Sequence, residues 1–353
     1  MSGRRTSSRL KALTRSSLKS TEKSTEKFPA KPTPYSRPRR KCESKDPKGK
    51  ANKKPTDTKH QKTSNSTERK PPSKKSRDKP PNQPIIAPGR SELVEIIENT
   101  PGCRSGSKIT MDVLVMTLEG ATVILTSDQE NKSVNALYRE AGEERTSTLP
   151  MKQFATNFTI IEDNLVAAGV WCHFKIVFFK VFPDLDLQRT IDTKTRYSSI
   201  AFLSPGTLVG SHVLGNCGVD VIDMTGNILR TFDRSHLNEP YSVCTYNGNC
   251  IVGDLKHHAI TCFNEMGNLL FKFKPRVDKK FIGLLTVRAH GGYIYASDRE
   301  GHRVVQLTVD GKFVRDVLTR DDGIEEPQGI CITDDNILYV SVLKSYIRVY
   351  RIG

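Results

Sequence analysis

The sequence predicts an all-β fold, a six-bladed β-propeller preceded by a disordered basic tail. Three observations support this prediction. Six β-like segments recur at nearly even spacing, each lies within a similar four-strand pattern, and charge and proline content change abruptly near residue 90.

The repeat is clearest in six apolar runs that end in small, apolar or acidic residues. Their endpoints are separated by 42, 41, 43, 44 and 43 residues. A period of this length is typical of propeller blades, and the 263 residues that follow the tail provide room for six of them. The endpoints are Asp128, Val170, Ser211, Asp254, Asp298 and Ser341.

Three further β-like runs complete a unit. One comes about ten residues before the endpoint, as in YSVCTY, and two follow it, as in AITCFNEM and NLLFKF. Gly226, Gly267 and Gly311 stand between the last two runs of three units, where tight hairpins require positive φ. Because a single four-stranded sheet cannot cover both of its faces, the units are expected to pack radially and close into a ring.

The sequence also predicts how the ring closes. The last repeat offers only three strands, at residues 328–333, 337–342 and 346–352, and the run at 93–97 can supply the fourth. Pairing the two ends within one blade would leave no open sheet edge. We therefore predict a tail at residues 1–90 and a propeller at residues 91–353, with residues 91–99 as the closing strand of the last blade.

The first 90 residues have a different composition from the rest. They hold 27 Lys/Arg against 7 Asp/Glu, a net charge of +20, whereas the remainder holds 28 against 32, a net charge of −4. The tail carries 12 of the 19 prolines and only two aromatic residues. Such a segment buries too little apolar surface to offset the entropy of ordering, so disorder is expected.

Two clusters in the tail are especially basic. Each is compatible with a nuclear-import signal or nucleic-acid patch, and equally with a solvated linker. The clusters comprise Arg37, Arg39, Arg40 and Lys41, and Lys74, Lys75, Arg77 and Lys79.

The chain has no apolar run of 18 residues and no apolar secretory leader, so neither membrane insertion nor secretion is expected. We predict a cytoplasmic protein, with a nuclear location as the alternative. An organelle transit peptide at residues 1–20 is a further alternative. Most of the eight cysteines are expected to be reduced and buried.

Two stretches resemble a known repeat. SDREGHRVVQLTVDGKFV (residues 297–314) resembles an NHL repeat, with a strand ending in Asp, a His-Arg loop and a Gly turn, and EEPQGICITDDNILYVS (residues 325–341) resembles the start of the next one. Residues 238–254 are a weaker match, and the first three units match only in spacing and strand pattern. The second unit departs furthest, with Trp171-Cys172-His173 replacing the polar loop.

This NHL-like propeller is similar to the C-terminal domains of tripartite-motif proteins. The resemblance implies a module that recognises protein substrates or RNA, which in those proteins follows a ubiquitin-ligase RING and B-boxes. These 353 residues contain no Cys/His cluster typical of either zinc domain and no heptad stretch for a coiled coil. Intrinsic ubiquitin-ligase activity is therefore not expected.

The loops after the second strands are the candidate binding site. Equivalent loops of successive blades share one rim, so their basic residues should form an arc that attracts phosphates or acidic peptides. Asp254 and Asp298 are instead expected to cap loop amides, and pairing with such an Asp is an alternative for Arg303. The arc comprises His212, Lys256, His257, His258, Arg299, His302, Arg303 and Lys344.

Enzymatic alternatives are weaker. His212, His257 and His302 recur at intervals of 45 residues, a pattern that raises a zinc site resembling that of NHL-like amidating lyases. Propeller lactonases use calcium in the central channel, where Glu239 and Asn216 are conceivable ligands. No nucleophile elbow, P-loop or HExxH motif occurs.

We therefore predict a non-enzymatic, monomeric recognition or scaffold module without a cofactor, whose partner is a protein. A substrate-recognition adaptor in ubiquitin ligation is one form of this role, with the tail adding electrostatic affinity. An RNA-binding propeller that regulates transcripts and a metal-dependent lyase or lactonase are the alternatives.

Overall fold

A computed structural model of the protein describes residues 90–98, 109–342 and 346–353. It contains six four-stranded antiparallel sheets, the blades of a β-propeller. Five blades run from the inner to the outer strand in chain order, and the inner strands of neighbouring blades contact one another. The all-β, six-bladed prediction is confirmed.

The strand bounds follow the repeat. Blade 1 consists of β2 (Thr110–Leu118), β3 (Ala121–Asp128), β4 (Ser133–Glu140) and β5 (Glu143–Pro150). Blade 2 consists of β6 (Ala155–Glu162), β7 (Leu165–Val170), β8 (Lys175–Lys180) and β9 (Asp186–Asp192). Blade 3 consists of β10 (Ser199–Ser204), β11 (Thr207–His212), β12 (Gly218–Asp223) and β13 (Ile228–Thr231).

Blades 4 to 6 continue the pattern. Blade 4 consists of β14 (Pro240–Tyr246), β15 (Asn249–Asp254), β16 (Ala259–Phe263) and β17 (Leu269–Phe273). Blade 5 consists of β18 (Leu284–His290), β19 (Tyr293–Asp298), β20 (Arg303–Thr308) and β21 (Phe313–Leu318). Blade 6 consists of β22 (Ile330–Ile332), β23 (Ile337–Val342), β24 (Tyr346–Ile352) and β1 (Ser91–Ile97).

The described residues form only three helical segments, each a single 3-10 turn, at Arg234–His236, Val277–Lys279 and Arg320–Asp322. Within this part of the chain, no helix has the length and apolarity needed to cross a bilayer.

β1 occupies the position that the sequence predicted for a closing strand. It pairs antiparallel with β24, from Ser91 opposite Ile352 to Ile97 opposite Ile347, with one irregularity in the register. Blade 6 therefore combines three strands from the end of the propeller sequence with one from its beginning.

Burial explains why the strands differ in composition. All five residues of β16 are buried, because neighbouring blades cover both faces of a middle strand. The outer strand β9 exposes six of its seven residues. The hydrophobic core therefore lies between blades and depends on the ring as a whole.

Glycine completes the outer hairpins. Gly226, Gly267 and Gly311 have φ of 94°, 87° and 84°, the left-handed region that glycine tolerates best. At Gly311 an added Cβ would also lie 2.4 Å from the Phe271 ring of the preceding blade. The predicted role of these three glycines is confirmed.

Polar side chains link the inner strands of blades 1 to 5. At equivalent points, spaced by 42 to 45 residues, the six inner segments carry Asp112, Asn157, Ser199, Ser242, Thr286 and Gly329. The first four accept a hydrogen bond from the next blade's inner strand, from the backbone N–H groups of Phe158 (2.8 Å), Ile200 (2.9 Å), Val243 (3.1 Å) and Val287 (3.0 Å) respectively. We call the four accepting residues, Asp112, Asn157, Ser199 and Ser242, the latch ring.

Replacing Ser242 with alanine should lower the free energy of unfolding by about 1–3 kcal/mol, because the buried Val287 N–H would lose its acceptor. Chemical denaturation measures this change. The control is Ser204→Ala, which removes an exposed hydroxyl from the last residue of β10, and it should change stability by less than about 0.5 kcal/mol. Equal effects of the two substitutions would contradict a stabilising latch ring.

A buried ion pair crosses the centre of the propeller. Asp112 Oδ2 lies 2.6 Å from Arg288 Nη2. The pair joins β2 of blade 1 to β18 of blade 5. Burial raises the pKa of Asp112, and the Arg288 charge opposes that rise. Glycine at position 329 allows blade 6 to lie close to Asp112, because a Cβ there would be 2.5 Å from the Cα of Asp112.

Candidate recognition face

One face of the propeller is formed by two kinds of loop, and we call it the upper face. It contains the loops that follow the second strand of each blade and the loops that lead from one blade to the next. Asp298 ends β19, and its Oδ1 atom accepts hydrogen bonds from the N–H groups of Ile282 and Gly283, both at 2.9 Å. Asp298 therefore caps loop amides, as predicted, but these amides lie 15 and 16 residues before it and not in the loop that follows it.

Asp254 has the same role in blade 4. Its carboxylate accepts hydrogen bonds from the N–H groups of Asn238 (2.7 Å), Glu239 (3.1 Å) and His257 (2.9 Å). The predicted capping role of Asp254 is confirmed as well. Buried carboxylates thus hold the interblade loops in fixed positions on the upper face.

The basic residues of the blade 4 loop differ in accessibility. Lys256 is exposed. His257 Nδ1 lies 3.0 Å from Asp254 Oδ2 and 3.0 Å from Lys272 Nζ, so its ring is held between a carboxylate and an ammonium group. Burial and the nearby Lys280 lower the pKa of His258, which favours its neutral form.

The basic residues of blade 5 are engaged within the protein. Arg303 lies 3.0 Å from Asp298 and 3.4 Å from Asp316, with only 12% of its side chain exposed. Arg299 pairs with Glu326 at 2.8 Å. His302 Nδ1 accepts a hydrogen bond from the Glu326 N–H at 3.1 Å. The geometry gives all three a structural role, and partner binding by them stays a prediction.

His212 lies apart from the rest of the predicted arc. It ends β11 and is 3% exposed, and its Nε2 is 3.4 Å from Asp220 Oδ2. Burial opposes ionisation of Asp220, but His212, Thr231 and Tyr197 outweigh it and lower the pKa of that carboxyl. Lys344 and both tail clusters lie outside the described residues.

A cleft between blades 2 and 3 was missed by the sequence analysis. Lys194, Arg196 and Arg234 line it together with His212, and two half-exposed apolar residues, Phe174 and Leu214, stand beside them. We call it the basic cleft. Its cations lie in irregular interblade loops, where the 43-residue period gives no positional signal. The only sequence signal was the Lys-Thr-Arg triplet at residues 194–196.

The central channel is narrow. A pocket between its inner strands has a free volume of about 20 Å³, roughly the room that one water molecule needs. Met111, Asn157, Ser198, Ser242, Thr286 and Arg288 are among the lining residues. Glu239 and Asn216, considered above as channel ligands, lie in loops of the upper face instead.

No metal-binding cluster is evident in the described part of the chain, where no three His, Cys, Asp or Glu side chains converge. His212, His257 and His302 contact different partners in different blades. Four of the six described cysteines are buried, and burial raises the pKa of Cys244 to about 12, which keeps that thiol protonated and unreactive.

Comparison with solved structures supports the class of fold. Virginiamycin B lyase from Staphylococcus aureus aligns with a TM-score of 0.54 and 11% identity, over 75% of this chain and all of that one. The WD40 β-propeller domain of Doa1 aligns with a TM-score of 0.54 and 9% identity, over 74% of this chain and 96% of that one. At these identities the likeness shows the propeller fold alone.

The similar curated proteins are tripartite-motif ligases. The chain is 23% identical over 242 residues to the E3 ubiquitin-protein ligase TRIM56 of Mus musculus and 20% identical over 240 residues to that of Homo sapiens. The matches cover 66% of this chain but only 32% and 31% of those proteins, so the chain spans about a third of their length. No family model matches it. The resemblance to tripartite-motif propellers is thus confirmed at low identity.

Proposed function

We propose that this protein is a non-enzymatic recognition module whose upper face binds protein partners. The observation that carries this proposal is the contrast between the two candidate ligand positions. The pocket in the central channel has room for about one water molecule, whereas the upper face presents exposed cations and apolar side chains on loops fixed by Asp254 and Asp298.

An adaptor role in ubiquitin ligation is the specific form that we favour. It is supported by the similarity to E3 ubiquitin-protein ligases and by the exposed cations on the loops of the upper face. The adaptor would present a bound protein to a separate ligase, and the basic tail would add electrostatic affinity.

Proximity labelling with the full chain tests the role of the upper face. We compare the unaltered protein with Lys256→Glu/Lys280→Glu, which reverses two exposed upper-face charges. The matched control, Lys180→Glu/Lys312→Glu, reverses two exposed charges elsewhere. We expect the upper-face variant to lose a defined set of neighbouring proteins that the control keeps. Identical sets from both variants would contradict the proposal, and unaltered ubiquitin conjugation of the lost proteins would contradict the adaptor role.

RNA recognition is the second candidate, and the exposed cations of the basic cleft favour it. Against it, the segment that forms the propeller has a net charge of −4, and carboxylates pair with Arg299 and Arg303. If RNA binding disappears on removal of residues 1–90 and shows no sequence preference, the propeller is not an RNA reader.

A further inference from the structure

The basic cleft has three cations that lack carboxylate partners. In the part of the chain that the structure describes, no ion pair forms at Lys194, Arg196 or Arg234, although all three side chains are exposed. Arg196 lies over the Phe174 ring, 4.8 Å from its centroid. By contrast, the arginines of the blade 5 loop are matched by acids.

The cleft also contains a buried polar group without a hydrogen bond. His212 is 3% exposed and lines the cleft. Neither ring nitrogen makes a hydrogen bond to another described residue, although Nε2 lies within ion-pair distance of Asp220 Oδ2, at 3.4 Å. Buried imidazole nitrogens without a partner are costly, so this ring is well placed to meet a polar ligand.

Glycine at position 218 lets the His212 imidazole and the Arg234 guanidinium pack close to the backbone. A Cβ at position 218 would lie 3.3 Å from His212 Nε2 and 3.0 Å from Arg234 Nε. The cleft as a whole has a volume of about 400 Å³, within the range of small-ligand pockets. It can therefore hold an anionic group and part of the chain that carries it.

We propose that the basic cleft binds a phosphoryl group carried by a Ser, Thr or Tyr side chain of a protein partner. Guanidinium groups bind phosphate oxygens through paired, charge-assisted hydrogen bonds, and a phosphomonoester carries nearly two negative charges at neutral pH. The exposed apolar surfaces of Phe174 and Leu214 can contact residues next to the phosphorylated one. This inference rests on the proposed role in protein recognition.

The chemistry of the cleft favours a phosphomonoester over RNA. Single-stranded RNA binding needs a basic track along the backbone and open aromatic faces for base stacking. Here the cations converge on one pocket, whose lining includes a single exposed aromatic ring, Phe174, with Arg196 over one of its faces.

The test uses the full chain and fluorescence anisotropy with three peptide libraries, which share a fixed central position occupied by phosphoserine, serine or glutamate. We expect the phosphoserine library to bind at least about tenfold more tightly than the other two. Arg196→Gln/Arg234→Gln should abolish this preference. Lys180→Gln/Lys312→Gln, which removes the same charge from other surfaces, should retain it.

Several results would overturn the proposal. These are equal binding of the three libraries, a preference that survives in Arg196→Gln/Arg234→Gln, and inorganic phosphate binding as tightly as the phosphopeptides. Single-stranded RNA binding more tightly at the same arginines would assign the cleft to nucleic acid. If protein partners remain bound after phosphatase treatment, the recognition role stands and the phosphoryl-binding site is contradicted.

Discussion

Replacing Arg288 with methionine should lower the free energy of unfolding by about 3–5 kcal/mol, because it leaves the Asp112 carboxylate buried without its counter-charge. For a propeller of this size the midpoint of thermal unfolding should fall by roughly 10 °C or more. The pair joins blade 1 to blade 5 across blade 6, so its loss also weakens the contact between two non-adjacent blades. Circular dichroism and denaturant titration measure both quantities.

The pH dependence separates this effect from a simple packing defect. Arg288 is the main charge that opposes the burial-driven rise in the pKa of Asp112, so that pKa should rise further in the methionine variant. A carboxyl with a raised folded-state pKa stabilises the fold at low pH and loses this contribution as pH increases toward that pKa. The difference in the free energy of unfolding between the variant and the unaltered protein should therefore become smaller as the pH falls from 7 to about 4.5.

A matched double variant completes the test. Asp112→Asn/Arg288→Met removes both charges and retains an amide oxygen that can accept from the Phe158 N–H, as Asp112 does now. It should recover much of the lost stability, because replacing both members of a buried pair costs less than removing one. A gap that does not change with pH, together with no recovery in the double variant, would contradict a destabilising buried charge.

The blades and their closure were predictable because they follow local rules. Apolar runs of strand length, a period near 43 residues and glycines at hairpins can all be read from neighbouring residues. The strand at residues 328–333 was predicted too long, since β22 spans only Ile330–Ile332. At Gly329 the chain meets blade 1 too closely for a side chain.

The residues of the latch ring could also have been predicted from the sequence. Asp112, Asn157, Ser199 and Ser242 interrupt apolar runs at the same period as the blades. The pairing of Asp112 with Arg288 was not predictable, because only ring closure brings together residues 176 positions apart.

The candidate site was predicted only in part. Equivalence between blades indicates which loops share a face, but it does not show which charges are already paired. Arg303 and His257 lie against the carboxylates that cap their loops. The basic cleft depends on interblade loops of unequal length, which the repeat does not describe.

Removing the closing strand should have the largest effect on stability. A chain that begins at residue 99 lacks β1, and its unfolding midpoint should lie well over 10 °C below that of a chain that begins at residue 90. β1 joins three blades. It pairs with β24 in blade 6, Ser91 Oγ donates to the Val317 carbonyl of blade 5 at 2.9 Å, and Glu95 binds Arg139 of blade 1 through two hydrogen bonds of 2.6 and 2.8 Å.

Point substitutions in β1 separate its packing from its edge pairing. Ile97 is 5% exposed in the core between blades 6 and 1, so Ile97→Ala should cost about 2–5 kcal/mol. Glu92→Gln weakens only the exposed pair with Arg351 at 3.3 Å and should cost less than about 1 kcal/mol. Because a missing β1 would expose the edge of β24, the chain that begins at residue 99 should also aggregate at concentrations at which the longer chain does not. Equal midpoints and equal light scattering for the two chains would show that the ring is stable without this strand.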